Sequence, residues 1–244
     1  MYSSKEFYTK FAPFYEDYSA TKKDYIFSVN DFIKKEAVPL QKMVDVGGGN
    51  GKRSKKIAGS IHASSLTIID NSDGMIALAN NTKELKVTQA DISDKNFKFC
   101  EKYGIVTCLW NVLGHVNTKE RRLTALINLA SLMEDNGLLF IDVNNRYNVS
   151  NYGLGKVLKN IYKDIFHFDR GNGDYKLNID TGDIKIQTNV HIFNPFEIEK
   201  LIKLAGLKIV KRWMINYNTG NSNNNIFGGQ ILYKLSKNEK GTIY

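Results

Sequence analysis

Cysteine and proline are scarce in this chain of 244 residues, which holds two cysteines and three prolines. Cys100 and Cys108 cannot supply a disulfide framework. Because both lie in apolar surroundings without metal-ligand spacing, we expect buried, reduced thiols and no bound metal. No apolar run reaches the length of about 18 residues that a transmembrane helix needs. The segment 1–10 also lacks the apolar core of a signal peptide. These absences predict a cytoplasmic protein without a membrane partner.

Acidic residues are in the minority. The chain has 34 Lys and Arg against 25 Asp and Glu, a formal net charge of +9, which can indicate a nucleic-acid partner. The lysines are scattered along predicted helices and mixed with acids, as in the stretch 119–122, so no dense basic block occurs. We therefore expect a solvated, lysine-rich surface and no nucleic-acid partner, with RNA binding as the alternative.

Glycine is concentrated at one point of the chain. A short apolar run, 43–46, leads into four glycines, Gly47, Gly48, Gly49 and Gly51. Glycine permits backbone torsions and a close approach that a Cβ atom would block. The helix predicted from Lys52 would present free N–H groups and the positive end of its dipole to this loop, which favours an electronegative ligand. The sequence therefore predicts a site for a nucleotide-like cofactor.

The spacing of the loop narrows the choice of cofactor. A dinucleotide fingerprint counted from the first glycine needs another glycine where the chain has lysine, and the G-K-[ST] ending of a P-loop is absent. The observed frame is D-x-G-x-G-x-G, from Asp45 to Gly51. The next apolar run ends in Asp70, whose carboxylate can accept both hydroxyl groups of a ribose. A tight turn with a helix-capping acid is the alternative interpretation.

This arrangement resembles motif I and the second-strand acid of the class I S-adenosylmethionine-dependent methyltransferases. The resemblance implies S-adenosylmethionine as cofactor, with the glycines and Asp45 along its methionine part and Asp70 on its ribose. It also implies that Met75 packs on the adenine and that Asp91 and Ile92 bind the adenine edge, although a core methionine and a helix cap would look similar. The cofactor-binding residues expected in full are Tyr15, Asp45, Gly47, Gly49, Gly51, Asp70, Met75, Asp91, Ile92 and Asn111.

Two further strands are predicted to end at the same crevice. The strand 104–110 leads to Asn111 and His115, and the strand 138–143 leads to Asn144 and Tyr147 among others. At the carboxyl ends of strands in an open α/β sheet, side chains face the ligand crevice. His115 and Tyr147 are therefore the candidates for accepting a proton from the substrate, with a purely structural histidine as the alternative.

The stretch 107–148, together with 159–164, is similar to glycine N-methyltransferase and its sarcosine-methylating relatives. The resemblance implies that Arg146, in the motif N-N-R-Y-N, pairs with the carboxylate of an amino-acid substrate. The alternative is a surface arginine paired with a neighbouring acid, Asp142 or Asp164. The substrate-binding residues expected are Arg146, Asn144 and Tyr18.

The order of the predicted elements indicates an α/β fold in a single domain, residues 1–244. We expect a doubly wound, Rossmann-like sheet with the strand order 3-2-1-4-5-7-6 of the methyltransferases that this chain resembles. The aromatic-rich segment 1–38 would form an N-terminal lid and helix, or simply pack its rings. Segment 149–194 would insert a helix at 155–162 and a β-hairpin turning at 181–183 as a substrate lid, unless it forms an extra layer far from the site.

These features together predict a methyltransferase that acts on a small, carboxylate-bearing metabolite at an amino nitrogen. Methyl transfer from a sulfonium disperses charge, so holding a neutral amine in line with the methyl group can supply most of the rate enhancement. The sequence contains no further catalytic signature, such as paired carboxylates or a Ser-His-Asp order. An RNA methyltransferase and a non-catalytic protein that binds S-adenosylmethionine are the alternatives.

Overall fold

The computed structural model describes residues 1–81, 85–167, 171–182 and 184–238. The helices are α1 (Ser4–Phe11), α2 (Tyr15–Ala20), α3 (Lys23–Glu36), α4 (Lys52–Ser60), α5 (Asp73–Asn80), α6 (Lys119–Leu132), α7 (Val149–Tyr152), α8 (Leu154–Phe166) and α9 (Pro195–Leu204). The strands are β1 (Lys42–Val46), β2 (Ser65–Asp70), β3 (Lys86–Gln89), β4 (Tyr103–Cys108), β5 (Met133–Val143), β6 (Asp174–Asp180), β7 (Lys185–His191), β8 (Leu207–Ile215), β9 (Ser222–Asn223) and β10 (Gln230–Lys237). Within these described ranges no helix has the length and apolarity to cross a membrane.

The main sheet has the strand order β3-β2-β1-β4-β5-β10-β8-β9, and β6 pairs with β7 separately. Strands β3, β2, β1, β4 and β5 run parallel, whereas β10 lies antiparallel between β5 and β8. Apart from the two-residue strand β9 and the separate hairpin, this is the predicted order 3-2-1-4-5-7-6. The predicted fold class is therefore confirmed.

Helices cover both faces of the sheet. On one face, Leu129 of α6 and Ile198 of α9 belong to the same buried cluster as Val106 of β4. On the other face, Val29 of α3 clusters with Ile105 of β4. Because both faces are covered, the central strands are almost continuously apolar instead of alternating. The polar ligand site is consequently confined to the carboxyl ends of the strands.

Several local predictions need correction. Helix α6 ends at Leu132 and β5 begins at Met133, so β5 starts before the predicted strand 138–143 and contains Gly137. A Cβ atom on Gly137 would lie 2.9 Å from the carbonyl oxygen of Tyr103, which explains the glycine. The predicted helix 155–162 is part of the longer α8.

Two other predictions have mixed outcomes. Cys108 is buried as expected, but Cys100 is exposed. The hairpin of β6 and β7 is present. Of its predicted turn, Asp183 lies outside the described residues.

The N-terminal helices and the β6–β7 hairpin meet at the carboxyl end of the sheet. Phe7 and Phe11 of α1 form a buried cluster with Ile186 of β7. The backbone N–H of Tyr2 donates to the carbonyl of Gln187 over 2.9 Å. Two segments far apart in sequence thus cover one end of the sheet together. Their action as lids remains a prediction.

Candidate active site

A cavity of about 210 Å³ lies at the carboxyl ends of β1, β2 and β4. Eight of the predicted site residues contribute to its wall, namely Tyr15, Gly47, Gly49, Asp70, Met75, Asp91, Ile92 and His115. Its wall also contains residues that were not predicted from the sequence, among them Lys5, Asn71, Trp110, Val112 and Arg121. The cavity therefore joins the glycine loop, the second-strand acid and the N-terminal helices in one place.

The glycines of the loop have different functions. Gly47, Gly49 and Gly51 all have positive φ angles, of 70°, 58° and 74°. A Cβ atom on Gly47 would clash with the side chain of Val112, and one on Gly51 would lie 2.7 Å from Leu85. The Cβ position of Gly49 has no neighbour closer than the Met75 Sδ atom at 3.7 Å. Gly49 thus leaves space on the cavity side, whereas Gly51 is the N-cap residue of α4 and does not line the cavity.

Asp70 ends β2 with its carboxylate beside the glycine loop. The backbone N–H of Gly49 donates to Oδ2 over 2.9 Å, and the backbone N–H of Ser72 donates to Oδ1 over 2.8 Å. Burial raises the pKa of the Asp70 carboxyl, and these two hydrogen bonds oppose the rise. Each carboxylate oxygen has a second lone pair available. The carboxylate can therefore accept the two hydroxyl groups of a ribose.

The Asp91 carboxylate lies at the edge of the cavity but is already held by protein groups. The Ser93 backbone N–H and Oγ donate to Oδ1 over 2.8 and 2.6 Å. Arg121 donates from Nη2 to Oδ2 over 2.8 Å. Met75 and Ile92, both buried, supply apolar wall nearby. This part of the cavity suits a flat, weakly polar group such as adenine.

Asp45 does not line the cavity, contrary to its predicted place along the methionine part. Ser54 of α4 donates to its Oδ2 over 2.5 Å, and Thr107 of β4 donates to its Oδ1 over 2.6 Å. Burial raises the pKa of this carboxyl in spite of the two hydroxyl donors. Asp45 therefore holds β1, β4 and α4 together beneath the glycine loop. Its position in the middle of the sheet keeps its side chain out of the crevice.

His115 and Tyr8 form a pair in the cavity wall. The Nε2 atom of His115 and the hydroxyl of Tyr8 share a hydrogen bond of 2.9 Å. The two rings meet edge to face with their centroids 5.0 Å apart. Burial lowers the pKa of His115 to about 4, so the imidazole is neutral at physiological pH. The buried Nδ1 atom has no hydrogen-bond partner, and a buried polar atom of this kind is rare unless a ligand or water completes it.

Aromatic rings form the wall next to the glycine loop. Trp110 has its ring centroid 5.5 Å from that of Tyr15 and is stacked on Tyr18 at 6.0 Å. Its Nε1–H donates to the Tyr217 hydroxyl over 3.0 Å. Tyr15 and Trp110 line the cavity, whereas Tyr18 lies behind Trp110 and does not. The signal that could have identified Trp110 is an aromatic residue at the carboxyl end of the central strand.

Two consecutive residues after β4, Trp110 and Asn111, have left-handed backbone conformations, with φ angles of 63° and 58°. The Asp142 carboxylate accepts hydrogen bonds from both of their backbone N–H groups. The hydroxyl of Tyr25 donates to the same carboxylate over 2.7 Å. Non-glycine residues in this conformation are strained, and such strain is typical of functional sites. Asp142 therefore fixes the backbone that supports the aromatic wall.

Asn111 and Asn144 do not reach the cavity. The Asn111 Oδ1 atom accepts a hydrogen bond of 2.9 Å from the backbone N–H of Asn144, and its Nδ2 donates to the carbonyl of His191 over 3.4 Å. These bonds join the ends of β4, β5 and β7. The predicted ligand function of Asn111 is therefore replaced by a structural one, since its side chain satisfies buried backbone groups. Asn144 takes part through its backbone N–H and does not line the cavity.

Arg146 also lies outside the cavity, in a buried network of ion pairs. Its Nε and Nη2 donate to the two oxygens of Asp164 over 2.9 and 2.8 Å, and its Nη1 donates to Glu197 over 2.8 Å. The Tyr147 hydroxyl donates to Asp164 over 2.8 Å, so it is also bound within the protein. The expected substrate carboxylate is replaced by protein acids. The predicted substrate function of Arg146 and the catalytic function of Tyr147 are corrected accordingly.

Comparison with known proteins identifies the fold. Residues 43–137 match the family model described as methyltransferase domain. No curated protein sequence matches the chain. Among solved structures, an S-adenosylmethionine-dependent methyltransferase of Clostridium acetobutylicum ATCC 824 superposes with a TM-score of 0.67 at 15% identity, over 95% of this chain and 99% of that chain.

Two further structures extend the likeness. A possible histamine N-methyltransferase of Thermotoga maritima has a TM-score of 0.63 at 15% identity, over 96% of this chain and 99% of its own. A complex of the Haloferax volcanii Trm112 methyltransferase activator with a candidate methyltransferase has a TM-score of 0.69 at 12% identity, over 99% of this chain and 100% of that chain. The fold is thus that of the class I S-adenosylmethionine-dependent methyltransferases. The domain match over 43–137 and this fold together support a methyltransferase that uses S-adenosylmethionine as its cofactor.

Proposed function

We propose that this methyltransferase transfers a methyl group to an amino nitrogen of a small metabolite. The observation that supports this most strongly is the neutral His115 side chain, which lines the cavity and whose buried Nδ1 atom has no hydrogen-bond partner in the protein. An amine N–H could donate to that atom, whereas a carboxylate could not. The narrower resemblance to glycine and sarcosine N-methyltransferases remains a prediction.

The cavity residues fit the cofactor. Asp70 would accept the ribose hydroxyls, the open side of Gly49 would admit the methionine part, and Met75 with Ile92 would contact the adenine. When bound, S-adenosylmethionine supplies an electrophilic methyl group on a positively charged sulfur. The rings of Tyr15 and Trp110 can stabilise positive charge at this end of the cavity through their π faces.

His115 acts in this proposal as a hydrogen-bond acceptor that orients the amine. In the tautomer with its proton on Nε2, the ring donates to Tyr8 and leaves Nδ1 free to accept. With a pKa of about 4, the imidazole is too weak a base to remove a proton from an alkylammonium ion. The amine must therefore arrive neutral, and His115 directs its lone pair toward the methyl group.

The group of the methyl acceptor that the cavity is proposed to bind is an amine and not a carboxylate. Among the described residues that line the cavity, Lys5 and Arg121 carry full positive charge. Lys5 pairs with Asp73 at 3.1 Å, and Arg121 pairs with Asp91 at 2.8 Å. Arg146 is occupied elsewhere. An acceptor carboxylate would thus have to displace an acid that the protein already supplies.

The test is methyl transfer from labelled S-adenosylmethionine to the small-molecule fraction of a cell extract, to purified amines and to total RNA. We expect labelled N-methyl amines. Label in RNA at a comparable rate would establish the alternative RNA methyltransferase, and cofactor binding without transfer to any fraction would establish a non-catalytic binding protein.

A matched pair of variants tests the function of His115. His115→Asn retains an acceptor near the Nδ1 position, whereas His115→Gln retains one near the Nε2 position that faces Tyr8. We expect His115→Asn to keep the larger share of kcat, with cofactor affinity nearly unchanged in both variants. Equal activity of the two variants and the parent would remove His115 from the proposal.

A further inference from the structure

The outer face of helix α8 carries a row of large apolar side chains. Each is between 53 and 67% exposed, and the row consists of Leu154, Leu158, Tyr162, Ile165 and Phe166. Spacings of three and four residues bring side chains to the same side of a helix. The row is therefore a continuous apolar stripe and not a scatter of single exposed residues, which would need no explanation.

The inner face of α8 is attached to the protein. Val157 is buried, the Asn160 amide donates to the carbonyl of Arg146 over 3.0 Å, and the Asp164 carboxylate pairs with the Arg146 guanidinium. These contacts fix the rotation of the helix about its axis. The apolar stripe is consequently held outward by the same interactions that anchor α8.

Positive charge accompanies the stripe. Lys156, Lys159 and Lys163 recur at spacings of three and four, so they form a row beside the apolar one. The single acid between Leu154 and Phe166 is Asp164, which is turned inward to Arg146. The solvent side of α8 thus combines apolar and basic side chains without a carboxylate of its own.

We propose that α8 binds the surface of an anionic lipid bilayer. Side chains that are more than half exposed offer apolar area to a planar boundary, and the lysines complement the headgroup phosphates. A symmetric contact with a second copy whose α8 runs antiparallel would bring the two lysine rows together. The helix lies on the membrane and does not span it, since its 13 residues cover about 20 Å of a hydrocarbon core of about 30 Å.

This inference goes beyond the proposed function and does not depend on it. The absence of a spanning segment led the sequence interpretation to expect no membrane partner, but that absence excludes only insertion across the bilayer. The apolar stripe could be assigned to the surface only once the structure fixed which side of α8 faces the protein.

The experiment is cosedimentation of the full chain with vesicles of phosphatidylcholine alone and of phosphatidylcholine with phosphatidylglycerol. We expect binding to the anionic vesicles, weakened by salt. The variant Leu158→Gln with Ile165→Gln should bind at least about tenfold more weakly. The matched control, Phe27→Gln with Leu204→Gln, removes exposed apolar side chains from α3 and α9 and should bind like the parent.

A second pair of variants distinguishes the effect of the lysine row on vesicle binding from the effect of the net charge of the protein. Lys159→Gln with Lys163→Gln should weaken binding on the order of tenfold or more, whereas Lys56→Gln with Lys208→Gln should change it less than about twofold. All four lysines are exposed, so folding should be preserved. No binding of the parent to anionic vesicles would overturn the proposal, as would equal losses in test and control variants. A dimer in light scattering that only the α8 variants dissociate would show a second copy as the occupant instead.

Discussion

Replacement of Asp70 by asparagine tests the assignment of the cofactor site most directly. The change keeps the size of the side chain but removes the negative charge and one of the two acceptor oxygens. In the native structure both oxygens are used, since Gly49 N–H donates to Oδ2 and Ser72 N–H donates to Oδ1. An amide at this position must point its NH₂ group at one of these donors.

The magnitude follows from the ribose contact. A hydrogen bond to a charged acceptor contributes about 1.5 to 3 kcal/mol. Loss of one such bond to a ribose hydroxyl corresponds to a rise in the Kd of S-adenosylmethionine of roughly tenfold to 150-fold. The misdirected NH₂ group also disturbs the Gly49 end of the glycine loop. We therefore expect the upper part of this range.

The assay is calorimetric titration of the parent and the variant with S-adenosylmethionine and S-adenosylhomocysteine. Both ligands carry the same ribose, so both should lose affinity by similar factors. Asp73→Asn is the control, because Asp73 is a nearby but exposed carboxylate that pairs with Lys5 and does not line the cavity. An Asp70→Asn protein that binds either ligand as tightly as the parent would refute the placement of the ribose.

Three further predictions concern the buried side chains of Arg146 and His115. Arg146→Ala should lower the free energy of unfolding by about 3 to 5 kcal/mol, because it leaves the mostly buried Asp164 carboxylate without its cation and Glu197 with the His191 ring alone. Urea unfolding measures this, and a loss under about 1 kcal/mol would show that the network is unimportant. The same variant, where folded, should bind S-adenosylmethionine with nearly the parent Kd in calorimetry, since Arg146 does not line the cavity. The free energy of unfolding should fall as the pH drops from 6.5 toward 4, because His115 takes up its proton in the unfolded chain at a higher pH than in the folded one. The fall that this group causes is up to about 3 kcal/mol. Thermal unfolding of His115→Gln should not show this fall, and a pH profile identical to that of the parent would contradict the burial of a neutral imidazole.

The cofactor end of the site could be predicted because its signals are local. The torsions required of Gly47 and Gly49 are properties of single residues, and Asp70 follows from its place at the end of a strand. The alternation of strands and helices indicates an α/β fold, whereas the strand order was expected from the methyltransferases that the glycine motif resembles. The local features depend on short stretches of sequence, and the strand order depends on that resemblance.

The acceptor end could not be predicted because its geometry is set by distant partners. After β5, Asn145 continues pairing with Phe193 in an isolated parallel bridge, and the backbone N–H of Arg146 donates to Phe193 over 2.7 Å. This pairing holds Arg146 beside Asp164 and Glu197, away from the cavity. The N-N-R-Y-N motif carries no local signal for an acid supplied by α9. A strand end was identified correctly, but the direction of the next side chain was not.

The arrangement around Asp142 has a consequence for how this scaffold could diversify. Asp142 binds the backbone N–H groups of Trp110 and Asn111, so the shape of the loop is specified from β5 and not by the indole ring. The side chain at position 110 can therefore vary among residues that accept a left-handed backbone, such as asparagine, histidine or glycine, while the loop keeps its path. A library limited to such residues at this position would change the wall of the cavity without altering its supports. Position 110 is thus a place at which evolution or a designer could reshape the wall of the cavity while the loop that carries it keeps its path.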